Sequence, residues 1–171
     1  MTRSFVSPPL SGVRAISRRR WLVALAGGAL APSVRAATTT KPAMEVWKDA
    51  NCGCCKDWVL HLEQNGFAVR VFDTGNTLAR QRLGVPERLG SCHTGLVGGY
   101  AIEGHVPAQD IARLLREKPL DLGLAVPGMP VGSPGMDGVV YQGRKDPYDV
   151  LLVAKGGATT VFQSYPSRKF P

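Results

Sequence analysis

Three of the chain's four cysteines fall within four residues, Cys52, Cys54 and Cys55, in the stretch ANCGCCKDW. The stretch separates two periodicities. Before it, Met44–Lys48 is a short strand candidate: Val46 and Trp47 favour extended backbone, and Asp49-Ala50-Asn51 ends it. After it, Cys55, Trp58, Val59 and Leu62 fall at i, i+3, i+4 and i+7, one face of a helix running from Cys54 to about Asn65. Gly66 supplies its C-cap. The cysteines therefore sit where a strand turns into a helix. Free backbone N–H groups and the helix dipole favour thiolate at such a junction.

The rest of the chain extends this pattern. Phe67–Asp73 alternates Phe67, Val69 and Val71 against Ala68, Arg70 and Phe72, a second strand. Thr77 can cap a short helix over Leu78–Leu83, ended by Gly84 and Pro86. Leu96-Val97 and Tyr100–Ile102 flank Gly98-Gly99, a hairpin signal. Pro107 opens a helix with the stripe Ile111, Leu114 and Leu115, ending near Arg116, Lys118 and Pro119. Residues 120–138 hold three prolines and five glycines without periodicity. Long loops of this kind are uncommon unless functional. The end, YDVLLVAKGGATTVFQSY, is a second hairpin turning at Gly156-Gly157.

The first strand–helix–strand implies a right-handed crossover and a parallel pair. The whole order, with a cysteine pair between first strand and first helix, resembles the thioredoxin-like fold. The expected class is α/β: a mixed sheet flanked by helices, with an added C-terminal β-hairpin. In that fold the loop before the hairpin lies beside the cysteines and usually carries a proline. Here the loop is Ser91-Cys92-His93-Thr94. The resemblance implies that Cys92 faces the other three cysteines, and the chain departs from it in lacking the proline.

Residues 17–23, SRRRWLV, resemble a twin-arginine export signal. The apolar stretch from Trp21 to Ala31 is too short for a membrane anchor. Val34-Arg35-Ala36 is a small-residue cleavage site, so 1–36 reads as a signal peptide and 37–171 as one exported domain in the periplasm, with no membrane attachment after cleavage. The net charge of +8 invites a nucleic-acid reading, but six of the 21 basic residues lie in the leader, which has no acidic residue. The remaining 15 face 13 acidic residues, and nucleic acid is excluded as a partner.

The C-x-x-C spacing of Cys52 and Cys55 serves a redox dithiol or a soft-metal site. Cys54 weighs against plain exchange chemistry, which needs one attacking and one resolving thiol. Several thiolates suit Cu(I), and Ag(I) by the same softness, because bridging sulfur lets several ions share few ligands. Structural zinc usually takes two separated pairs, and the spacings match no common iron–sulfur run. A disulfide among Cys52, Cys54 and Cys55 closes almost no loop and stabilises little. His93 and His105 are candidate imidazole ligands or groups that orient the sulfurs. His61 lies off the apolar stripe and reads as solvated. Met129 and Met136 either plug the Pro/Gly loop against the core or supply thioether ligands. Met44 reads as core. A thiol-disulfide oxidoreductase, with Cys52 attacking and Cys55 resolving, and copper redox cycling both stay open.

With CGCC, SCHTG, EGHVPA and GLAVPGMPVGSPGM in this order, the chain resembles the CopG-type periplasmic metal-binding proteins associated with copper resistance, from about Met44 to Tyr165. The resemblance implies copper bound through Cys52, Cys54, Cys55 and Cys92 as a cluster of several ions, with His93 and His105 nearby. It implies copper ions as cargo; a binding protein of this kind either buffers the metal or passes it to a copper-handling protein of the same compartment. Gly95 stands where the family's motif is expected to carry alanine.

Overall fold

The strand expected before the cysteines forms as β1, Ala43–Lys48, and the amphipathic stripe after them forms α1, Gly53–Gln64. These come from a computed structural model that describes residues 40–166. The expected signal segment 1–36 and its cleavage point lie outside the described residues. The four predicted stripe residues of α1, Cys55, Trp58, Val59 and Leu62, are its buried ones. Its C-cap is Asn65, followed by Gly66 at φ +88°.

Next come β2 (Ala68–Phe72), α2 (Thr77–Arg82), β3 (His93–Val97), β4 (Tyr100–Glu103) and α3 (Ala108–Glu117). Then follow β5 (Gly123–Ala125), β6 (Tyr148–Val153) and β7 (Thr159–Tyr165). One seven-stranded sheet runs β2-β1-β3-β4-β5-β6-β7. The β1/β2 and β4/β5 pairs are parallel and the rest antiparallel. The mixed α/β sheet with helices and a C-terminal hairpin is the class read from the sequence. Its first four strands have the order and directions consistent with a thioredoxin-like unit.

Adjacent strand residues point to opposite faces, and the two cores follow that rule. Ile102, Leu124 and Val150 join Trp58 and Leu62 of α1 and Ile111 and Leu114 of α3. Ala101, Ala125 and Val153 join Val85 and Leu89 on the other face, after α2. Met44 lies in the first core, as expected.

Two local expectations are corrected. Residues 120–138 are not all loop: Gly123–Ala125 is a buried strand between β4 and β6. Three residues are too few to show alternation, and a strand covered on both faces need not alternate. The start of α2 is Thr77 with Asn76 at its N-cap position, so Thr77 is not the cap. Val71 is exposed because β2 is an edge strand. Its neighbour Phe72 instead stacks on Trp47, ring centroids 5.2 Å apart. Among the described residues no helix is long and apolar enough to cross a membrane.

Candidate metal centre

Cys52 is the N-cap of α1, in extended backbone, and its Sγ accepts a hydrogen bond from the Cys55 N–H at 3.3 Å. Sulfur here takes the place usually held by a serine or aspartate oxygen. Cys55, three residues on, is fully buried on the apolar stripe. One helical turn brings the two Cα atoms to 5.3 Å, within disulfide reach, and Cys52 and Cys55 are bonded. In this oxidised state Cys54 and Cys92 are the free cysteines, both half-buried.

Cys92 stands just before β3, and the sheet returns it to the start of α1. Its Sγ is 3.8 Å from Cys54 Sγ, which is 3.5 Å from Cys52 Sγ. All four sulfurs lie within 4.8 Å of one another. The convergence expected of residue 92 is therefore present. Burial, with Cys54 as the second cause, pushes the Cys92 thiol up to about 12. Without a cation it stays protonated. A bound metal ion reverses this, because a coordinating thiol is deprotonated outright.

Both expected histidines reach the same sulfur. His93 Nδ1 is 3.3 Å and His105 Nε2 is 3.2 Å from Cys92 Sγ. His105 Nδ1 lies 2.8 Å from the Pro134 carbonyl, which can only accept, so that nitrogen carries the proton and Nε2 turns its lone pair toward sulfur. His93 is packed between Trp58 (centroids 4.1 Å apart) and His105 (4.8 Å). Burial lowers the pKa of both rings, that of His93 strongly, with His105 as its second cause. His93 Nε2 is the one buried side-chain nitrogen or oxygen among the described residues without a hydrogen-bond partner. Neutral imidazoles beside thiols are a donor set suited to soft or borderline metals.

The Pro/Gly loop lies against this centre. A Cβ on Gly135, at φ +83°, would stand 2.5 Å from the Cys54 carbonyl oxygen, so only glycine lets the loop close on α1. Ser91 Oγ donates to the Gly128 carbonyl, anchoring the same loop beside Cys92. Met129, next in the chain, is half-exposed at 52 %. Met136 is buried, and its sulfur accepts from the Tyr141 hydroxyl at 3.4 Å, a placement that fits the packing role weighed for it. His61 is not simply solvated, which corrects the sequence reading. It is half-buried, and Nε2 accepts from the Ala108 N–H at 3.1 Å, capping α3. Desolvation lowers its pKa, opposed by Asp137.

Sequence reasoning passed over Arg80 and Glu103. Glu103 is fully buried on β4, with Arg80 2.9 Å away. An acid within the strand run YAIE, which otherwise looks internal, was the available signal.

Comparison with known proteins finds a matching family and similar solved structures. The family described as "Protein of unknown function, DUF411" matches residues 89–136, the stretch with Cys92, both candidate histidines and the Pro/Gly loop. No curated protein sequence matches the chain. A solved structure named copper resistance protein CopG, form 2, is 50 % identical, with a TM-score of 0.68. Form 1 of the same protein is 51 % identical, with a TM-score of 0.67. Each alignment covers 74 % of this chain and 99 % of the solved one. With half of the aligned residues identical across almost the full length of those structures, this chain belongs to the CopG copper-resistance protein family.

Proposed function

We propose that the protein binds Cu(I), and Ag(I) by the same chemistry, through Cys52, Cys54, Cys55 and Cys92, and so buffers or hands on copper in the periplasm. The carrying observation is the convergence of four sulfurs within 4.8 Å of one another at one helix N-terminus. The copper-resistance name of the similar structures supports copper as the cargo. Sulfur at that density suits a soft d¹⁰ ion, and bridging thiolates would let several ions share the site. His93 and His105 would act as terminal ligands or hold the sulfurs in place. Met129, half-exposed, is a candidate thioether donor. Met136 has the weaker claim, since its sulfur already accepts from Tyr141. Export by residues 1–36, leaving 37–171 as the mature domain, belongs to the same proposal and rests on the leader's sequence.

The Cys52–Cys55 bond favours a second reading. A C-x-x-C disulfide at a helix N-terminus is the resting form of a thiol-disulfide exchanger, with Cys52 as attacking thiol once reduced. In the copper reading the same bond must first be reduced for all four sulfurs to serve.

The two readings separate in one experiment. Fully reduced protein loaded with Cu(I) is expected to retain at least one equivalent against a strong Cu(I) chelator. Cys54→Ser and Cys92→Ser each lose that retention, and oxidised protein retains less than reduced. No retention by the wild type, with insulin reduction intact in both variants, would transfer the function to thiol exchange.

A further inference from the structure

Cys92 has no proline before it to shape its loop, and the described residues contain no cis peptide bond. The backbone of Ser91 is instead held by charged and amide side chains from the far face of the sheet. Ser91 N–H donates to Glu103 Oε1 at 2.7 Å. Its carbonyl accepts from Arg80 Nη2 at 2.5 Å and from Asn76 Nδ2 at 3.1 Å. Arg80 Nε also donates to Glu103 Oε1, at 2.9 Å, and the Thr94 hydroxyl donates to Oε2 at 2.6 Å. Both backbone groups of the residue before Cys92 are thus bound to one cluster built round the buried Glu103.

Three features mark this cluster as more than packing. Asn76 occupies the N-cap of α2 yet makes no capping bond; its amide goes to Ser91 and Thr94. A local rule broken at one place with a gain at another is the pattern expected near a functional site. Gly104 has φ +70°, and a Cβ there would stand 2.7 Å from Ser91 Oγ and 2.4 Å from the Val126 carbonyl, so the chain beyond Glu103 is shaped to admit Ser91. Finally, a buried ion pair roughly breaks even against apolar side chains of similar size, so stability alone does not account for it.

We propose that Arg80, Glu103 and Asn76 are positioning residues for Cys92: they fix the Ser91 backbone so that Cys92 Sγ is held against Cys54, His93 and His105. The role of the proline in related folds is taken here by an ion pair reaching through the sheet. Arg80 suits the task because its planar guanidinium presents Nε to the Glu103 carboxylate and Nη2 to the Ser91 carbonyl in one fixed fork. The proposal rests on the copper reading only for its consequence in metal affinity.

The test uses two readouts, one without metal. In the form with Cys52 and Cys55 bonded, the alkylation rates of Cys92 and Cys54 by iodoacetamide are compared by peptide mass spectrometry. In the reduced protein, Cu(I) affinity is measured by chelator competition. The paired variant Arg80→Met with Glu103→Gln, which leaves no unpaired buried charge, is expected to raise the Cys92-to-Cys54 ratio severalfold and to weaken Cu(I) binding on the order of 10-fold or more. Arg80→Lys, which keeps the charge but replaces the fixed fork by a single mobile ammonium, should move both readouts in the same direction by less than the paired variant. Asn76→Ala, which removes a single donor, should move both readouts less in the same direction, and it decides the matter if the paired variant does not fold. An unchanged alkylation ratio in the folded variants, or wild-type behaviour in Arg80→Lys, overturns the proposal. If the wild type retains no Cu(I), the copper reading falls while the alkylation ratio still judges the positioning role.

Discussion

The cysteine end of the sheet and the β6–β7 ribbon are held together by different means. At the cysteine end Lys48, His93, Thr94, Glu103 and His105 are all buried, and every one except Lys48 lies on β3, on β4 or just beyond them. The ribbon has no buried polar residue; Val150 and Val153 point inward, and the stacked pair Tyr148–Tyr165 closes its end. Strand pairing and a few apolar side chains suffice for the ribbon. The cysteine end depends on buried polar groups finding partners, and unpaired groups of that kind are costly. A fold accepts that cost where position has to be controlled.

The comparison breaks most readily at Trp58. This side chain is fully buried, donates to the Val106 carbonyl at 2.9 Å and forms one wall of the His93 site. Trp58→Ala should cost about 3–5 kcal/mol, read from urea unfolding. A cost near that of a surface change would mean that the cysteine end does not depend on its interior.

Acid should come next. His61, His93 and His105 all have pKa values lowered from 6.5 by burial, so the folded state prefers each ring neutral. Their contribution to stability is fully present above about 6.5 and is lost as pH falls through the depressed folded values, because the unfolded chain then binds protons first. In copper-free protein the urea midpoint should therefore fall from neutral pH toward about pH 5. His61→Gln, which keeps an acceptor for the Ala108 N–H, should remove part of that slope. A flat profile would show that the rings are not held neutral.

The smallest effect belongs to the ribbon. Val161 on β7 is 58 % exposed, and Val161→Thr should change stability by no more than about 0.5 kcal/mol, with copper retention untouched. A larger loss would mean that the ribbon's outer face is covered in solution.

What the sequence revealed follows the same division. Periodicity located α1 and its buried face, and Gly98-Gly99 and Gly156-Gly157 marked both hairpins, because these features are local. The meeting of Cys92 with the N-terminal cysteines was legible only through the resemblance to a known fold, since 37 or more residues separate the partners. β5 was missed because three residues carry no period. His61 was misjudged because the group it caps, the Ala108 N–H, belongs to a helix 47 positions away. Arg80 looks like an ordinary surface charge in one dimension, and Glu103 shows only as an acid in an otherwise internal-looking strand; the sheet order puts them behind Ser91.

The shortest strand has a consequence for traffic at the sulfurs. β5 is bonded to a neighbour on each side, Val126 N–H donates to the Glu103 carbonyl at 2.9 Å, and Asp146 N–H ties back to the Val131 carbonyl. These bonds tether the segment at its root and again along its length. Once the Cys52–Cys55 bond is reduced, an ion arriving or leaving would pass by ligand exchange at the partly exposed Cys52, Cys54 and Cys92, from one sulfur to the next.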